Sequence, residues 1–246
     1  MEYDPFTQDE EAQLPVKALK FEGVDRTSDP DITFVNDTDY VVTSIGTTED
    51  NVKKRLFFSS RMGSEEEIVS KTEPLELLEN RTIYPVLKSS CRLGEKLLQV
   101  IQFGYYVGAN STNGSLCVQM VDKDGNHKPL YYSYRDLGDV FARSYAYVYG
   151  NRCYLFFSAP AGEQPLGLKE VDRYEHIRYV IKCMVISEEG MEGIIEFPEM
   201  PGMLIMADKC VAKGNRVLCF VRDLNKTLVT GPGKPGMGYI EFRIAD

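Results

Sequence analysis

Residues 210–221 place a Gly214-Asn215 pair between two short runs of strand-forming side chains, and residues 146–157 repeat the arrangement around Gly150-Asn151, 64 positions earlier. A two-residue Gly-Asn link tolerates the positive φ angles of a tight, right-twisted hairpin, so each copy predicts two antiparallel strands. Looser copies lie at 84–98, turning near Gly94, and at 31–42, turning near Asn36. Four units at spacings of roughly 56–64 residues have the period of a blade, a unit that buries its faces only against its neighbours.

Short β-branched and aromatic runs bounded by turn residues fill each unit. Strands are expected at 31–35, 39–45, 54–60 and 67–70, then at 84–89, 96–106, 115–121 and 129–134. The third unit supplies 144–149, 153–159, 178–186 and 193–197, with a long insertion at 160–177. The fourth offers 209–213, 217–223 and 238–244 and lacks an outer strand, which residues 16–21 are placed to provide. That closure would hide the last sheet edge, as closed β architectures do. The best helical stretches, 73–79 and 167–176, are short and interrupted. The expectation is an all-β chain: a polar, mobile leader over 1–13, then a single β-propeller domain over 14–246, four-bladed, with five blades or a pair of sandwiches as alternatives.

A formal charge of -9, with acidic clusters at Asp9, Glu10, Glu11 and at Glu65, Glu66, Glu67, argues against a nucleic-acid partner. No apolar run reaches the roughly 18 residues of a membrane span. Five of the nine asparagines open an Asn-x-Ser/Thr sequon: Asn36, Asn80, Asn110, Asn113 and Asn225. About one would arise by chance, and all five fall in expected turns or loops, so a glycosylated, extracellular surface is implied. The start Met-Glu-Tyr-Asp-Pro has neither the basic nor the apolar region of a signal peptide, which fits a mature domain carrying an added Met, or else fortuitous sequons.

The six cysteines fit the same compartment. In the hairpin centred on Gly214-Asn215 the register sets Cys210 opposite Cys219 at a non-hydrogen-bonded pair, where side chains approach most closely. Cys91 and Cys117, and Cys153 and Cys183, hold matching places in successive units, suggesting three bridges in sequence order, one per blade. Six buried thiols in a cytosolic protein are the alternative.

Few residues carry a catalytic pattern. Asp29 and Asp31 flank Pro30 as a candidate axial carboxylate pair, or as a plain strand start. Asp122, Asp124 and Asn126 have calcium-like spacing without the closing Glu of a calcium loop, so a hairpin turn is expected. Residues 231–236 are glycine-rich, but Pro235 stands where a phosphate loop needs Ser or Thr. His127 and His176 fall in turns without metal-ligand spacing; they read as surface residues, and neither a metal nor a cofactor is expected. Tyr105, Tyr106, Tyr131, Tyr132, Tyr134, Tyr147 and Tyr149 supply aromatic surface for packing between blades or for recognition.

Ser28-Asp29-Pro30-Asp31-Ile32, followed by Tyr40-Val41-Val42-Thr43, resembles the first blade of arabinanase and β-xylosidase type glycosidases. That resemblance implies a five-bladed propeller in which Asp29 activates water. The strand rhythm is also similar to that of sialidases and trans-sialidases; with no Trp in the chain their Asp-box cannot be complete. The resemblance would cast Arg61, Arg143 and Arg222 as the arginine triad and the Tyr174-Glu175 pair as the nucleophile and its partner. Cysteines with sequons resemble the inactive, cysteine-bridged propellers of parasite surface proteins. The functional expectation is an extracellular, non-catalytic module that binds a protein or glycan through loops 107–114, 160–177 and 224–237. A glycosidase using Asp29 and a cytosolic scaffold are the alternatives.

Overall fold

In the computed structural model the expected hairpins turn on glycines in the left-handed region, Gly94 (φ 61°), Gly150 (φ 61°) and Gly214 (φ 59°). Each closes a two-residue link, pairing Leu93 with Lys96, Tyr149 with Arg152 and Lys213 with Arg216. In the first unit an asparagine replaces the glycine: Asn36 Oδ1 accepts from the backbone N–H groups of Thr38 (2.8 Å) and Asp39 (2.7 Å). The structure describes residues 19, 21–50, 52–62, 67–74, 83–107, 110–132, 141–160, 179–197, 203–205, 210–223 and 236–245.

These residues form strands and turns, with no helix among them. The first sheet contains β1 (Arg26–Phe34), β2 (Asp39–Thr47), β3 (Lys53–Arg61) and β4 (Glu67–Pro74). The second contains β5 (Ile83–Leu93), β6 (Lys96–Val107), β7 (Asn110–Val121) and β8 (His127–Tyr132). The third contains β9 (Phe141–Tyr149), β10 (Arg152–Pro160), β11 (Tyr179–Ser187) and β12 (Gly190–Phe197). All three are antiparallel meanders in chain order.

The fourth sheet departs from that pattern. β13 (Met203–Ile205) and β14 (Val211–Lys213) both pair with β15 (Arg216–Asp223), along the two halves of one edge, while β16 (Gly236–Arg243) takes the other edge. It is therefore three strand positions wide, its first position interrupted. Residues 16–18 and 20 of the expected closing strand lie outside the described residues, as do the leader 1–13 and most of both helical stretches.

The sheets stack face to face in chain order, because each presents apolar side chains on both surfaces. Val41 and Phe57 of the first sheet meet Leu97 and Val121 of the second. Leu98, Val118 and Met120 from the other surface of the second meet Leu155, Phe157 and Met184 of the third. Phe156 and Ile181, on the reverse of the third, meet Val217, Val221 and Phe242 of the fourth. The run 155–159 in β10 is thus continuously buried rather than alternating, as expected for a strand covered on both faces. The first strands touch in succession, β1 to β5, β5 to β9 and β9 to β13.

Candidate functional site

The most polar buried place among the described residues is the seam between the first and second sheets. Arg55 on β3 donates through Nη1 to Gln119 Oε1 on β7 (2.8 Å) and through Nη2 to His127 Nε2 at the start of β8. A guanidinium only donates, so Nε2 accepts and the His127 ring carries its proton on Nδ1. Gln119 Nε2 in turn donates to Gln99 Oε1 on β6. His127 is therefore not the surface turn residue expected from sequence: it opens a strand, half-buried, because Arg55 across the seam needs an acceptor. The remaining cavity, lined also by Thr43, Phe57 and Lys71, has a volume of about 20 Å³, room for about one water and none for a sugar. This network holds two sheets in register and has no space for chemistry.

Asp29 and Pro30 occupy an irregularity within β1, between the pairs Ser28–Ile45 and Asp31–Thr43. Pro30 cannot donate to a ladder, so the strand bulges there instead of starting there. Asp31 is half-buried, and its Oδ2 lacks a hydrogen-bond partner. Asp122 Oδ1 accepts from the N–H groups of Asp124 (2.9 Å) and Asn126 (2.8 Å), and its Oδ2 from Asn126 Nδ2 (2.9 Å). Those bonds depress its pKa against the upward push of burial and make the segment a capped hairpin turn. Among the described residues no group of three metal-ligating side chains forms a cation site.

Arg61 donates to Asp39 Oδ1 (2.9 Å) across β2 and β3, an exposed ion pair that lowers the Asp39 pKa. Arg143 and Arg222 are placed by backbone alone, in β9 and β15, whereas Tyr174, Glu175, His176 and residues 231–235 lie outside the described residues. Asn36 sits in an exposed turn; Asn110 and Asn113 belong to β7 rather than to a loop, Asn113 beside a bulge. Asn80 and Asn225 lie outside the described residues, as do 161–177, 224–235 and 108–109 of the expected contact loops. Tyr147 reaches from the third sheet to the fourth, its hydroxyl donating to the Gly214 carbonyl (2.8 Å). No helix among the described residues is long and apolar enough to cross a membrane.

No disulfide joins any of the six cysteines, and the register rearranges two of the three expected pairs. Cys91 faces Leu98 and Cys117 faces Ile101, on opposite edges of β6 and three residues apart along it, so well over two strand spacings, about 9.5 Å, separate them. Cys153 faces Ile186 while Cys183 faces Phe156, and the two thiols enter different interlayers. The hairpin register Val211–Leu218 does bring Cys210 opposite Cys219. Cys91 instead meets Cys153, the two sulfurs 3.8 Å apart between the second and third sheets. Burial pushes Cys117 up to about 11 and Cys183 up to about 12; Cys219 is raised by its bond with Cys210 and by burial. The Cys91 thiol is instead held below its ordinary value by its hydrogen bond with Cys153.

The outward face of the fourth sheet is a different surface. The pairs Phe220–Tyr239, Leu218–Glu241, Arg216–Arg243, Val211–Leu218 and Lys213–Arg216 align one face. On it Val211 is 60%, Phe220 37% and Tyr239 67% exposed. Arg216 grips Glu241 through two bonds of 2.8 Å, and Arg243 Nε adds a third of 3.0 Å. Val211, Lys213, Arg216, Leu218 and Glu241 line a shallow groove of about 400 Å³. Sequence reasoning passed over this face because alternation marks which residues leave the core, not whether anything covers them.

No family model matches the chain, and no curated protein does. Two solved structures resemble it: the catalytic domain of the GH62 α-L-arabinofuranosidase of Coprinopsis cinerea and an α-L-arabinofuranosidase of Podospora anserina in complex with cellotriose. The first has a TM-score of 0.36 at 10% identity, with 81% of this chain covering 61% of that one. The second has a TM-score of 0.35 at 13% identity, with 89% covering 65%. The chain spans less than two thirds of either structure, and similarity at this level carries neither substrate nor mechanism to it.

Proposed function

We propose that this chain is a non-catalytic binding module of β-propeller architecture, its four sheets serving as blades, that recognises a protein partner through the outward face of its fourth sheet. One observation carries the reading: Val211, Phe220 and Tyr239 lie exposed on one face of the sheet, beside half-buried Leu218 and charged side chains. Uncovered apolar patches with a polar rim are characteristic of interaction surfaces. Lys213, Arg216 and Arg243 against the single Glu241 make this face basic in a chain of charge -9, so the partner surface is apolar with acidic flanks. Ile32 and Phe34 of the first sheet are also exposed. An extracellular location rests on the sequons, of which Asn36 lies in an exposed turn.

The test is photo-crosslinking in the cell that makes the chain, with a benzophenone side chain at position 239 and, as control, at position 123. A discrete crosslinked protein seen only from position 239, and lost in Phe220→Asp, is the expected result. Identical products from both positions would remove the fourth-sheet face from consideration.

A second reading is a glycosidase with Asp29 as general base. It is favoured by the bulge at Asp29-Pro30 and by the unpartnered Asp31 oxygen on the same first strand. Turnover of aryl pentosides that disappears in Asp29→Asn would establish it, whereas equal rates in the two proteins would reject it.

A further inference from the structure

The Cys91 and Cys153 sulfurs come from different sheets and different repeats, 62 residues apart, and stand 3.8 Å from each other. Cys153 is fully buried among Leu155, Met184 and Ile186, whereas Cys91 is partly open to solvent at the rim of the same cluster. Rotation of the side chains that brings the sulfurs about 1.8 Å closer gives bonding distance. We propose that Cys91 and Cys153 are a redox pair that closes into a reversible inter-sheet disulfide, with Cys91 the thiol that first reacts with a low-molecular-weight disulfide such as oxidised glutathione.

The chemistry is two successive exchanges. The Cys91 thiolate, its proton released to solvent, attacks one sulfur of oxidised glutathione; the S–S bond of glutathione breaks, and the departing thiolate takes up a proton. The Cys153 sulfur then attacks Cys91 in the mixed disulfide, loses its own proton and expels a second reduced glutathione. Two protein thiols are oxidised and one glutathione disulfide is reduced. The electrostatics agree with this order. The hydrogen bond between the two sulfurs lowers the Cys91 pKa, while that bond and burial raise the Cys153 pKa. Cys117 and Cys183 are buried with raised pKa values, so they compete poorly. Cys210 and Cys219 do face each other, but both are buried against the third sheet, away from an external oxidant.

The test treats the reduced full chain with oxidised glutathione, quenches with an alkylating agent and maps the peptides without reduction. The expected product is a Cys91–Cys153 crosslink. A rise in Tm of roughly 8–15 °C over the reduced protein should accompany it, because a long loop is closed in the unfolded chain. Cys153→Ala should trap one glutathione on Cys91, and Cys91→Ala should leave Cys153 unmodified. Melts of both reduced variants show whether they fold, and the wild-type peptide map stands without them. A Cys91–Cys117 link, glutathione persisting on Cys91 of the wild type, or oxidation confined to Cys210 and Cys219 would overturn the proposal.

Discussion

Gly125 and Gly150 both adopt positive φ, 78° and 61°, yet they solve different problems. A Cβ at Gly150 would meet nothing within 4 Å; one at Gly125 would come within 2.8 Å of Phe57 Cδ1 in the seam between the first and second sheets. Gly150→Ala should therefore cost only the left-handed backbone penalty, about 1–2 kcal/mol. Gly125→Ala should add overpacking against a buried ring, for about 2–4 kcal/mol in total, as read by urea unfolding. Glu241 offers a residue-scale test in the other direction. Its bonds to Arg216 and Arg243 hold its pKa down at about 2, below the ordinary carboxylate value of 4.5. A depressed folded-state pKa contributes stability that is fully present above the unfolded value and is lost as pH falls through about 2. Carboxyl NMR should show Glu241 titrating near 2, and Arg216→Gln should move the midpoint upward. Because the group is exposed, the accompanying change in stability should be small.

At the scale of elements, strand order was legible because turn chemistry and strand propensity are local signals. The Gly-Asn hairpins, the Asp122 turn and the first three repeat units lie where the sequence places them, while the fourth gains β13, which no sequence signal marked. What was not legible is which faces meet. Arg55 and Gln119 are 64 residues apart, Cys91 and Cys153 62, Tyr147 and Gly214 67. Each separation is close to the repeat spacing, so matching or nearby positions in successive units touch across the interlayers. Within a unit the ladder does set Cys210 against Cys219, but Cys91 meets Cys153 between sheets, a contact no ladder marks. The candidate site was less legible than the fold, since a side chain's partner on a neighbouring sheet leaves no short-range trace. The same layering separates Phe156 from Phe157, adjacent on β10 but buried on opposite faces, one against Phe242 and the other beside Tyr131. Phe156→Leu and Phe157→Leu should each cost about 1–2 kcal/mol, and with no shared packing partners the double variant should equal their sum within about 0.5 kcal/mol. A coupling beyond that in denaturant unfolding would mean that the two interlayers yield as one.

For the molecule as a whole, stacking four sheets in chain order gives the inner and outer sheets different lives. The second and third sheets are covered on both faces, and their middle strands, β6, β7, β10 and β11, carry many of the least exposed side chains. The outward face of the fourth sheet carries Phe220 and Tyr239 into solvent, and the outward side of β1 carries Ile32 and Phe34. Local opening is cheapest where few apolar contacts must be broken, so protection against amide exchange should fall from the centre of the stack toward its ends. Native-state exchange should find the slowest amides in β6, β7, β10 and β11, and much faster ones in β16, which pairs only with β15 among the described residues. If instead β16 and β1 exchange as slowly as β7, their outward faces are covered in solution. The fourth-sheet surface would then be an internal blade contact rather than a place for a partner. Repeating the measurement with a protein captured from position 239 separates the outcomes: binding at the open face should slow exchange in β15 and β16 and leave β6 and β7 unchanged.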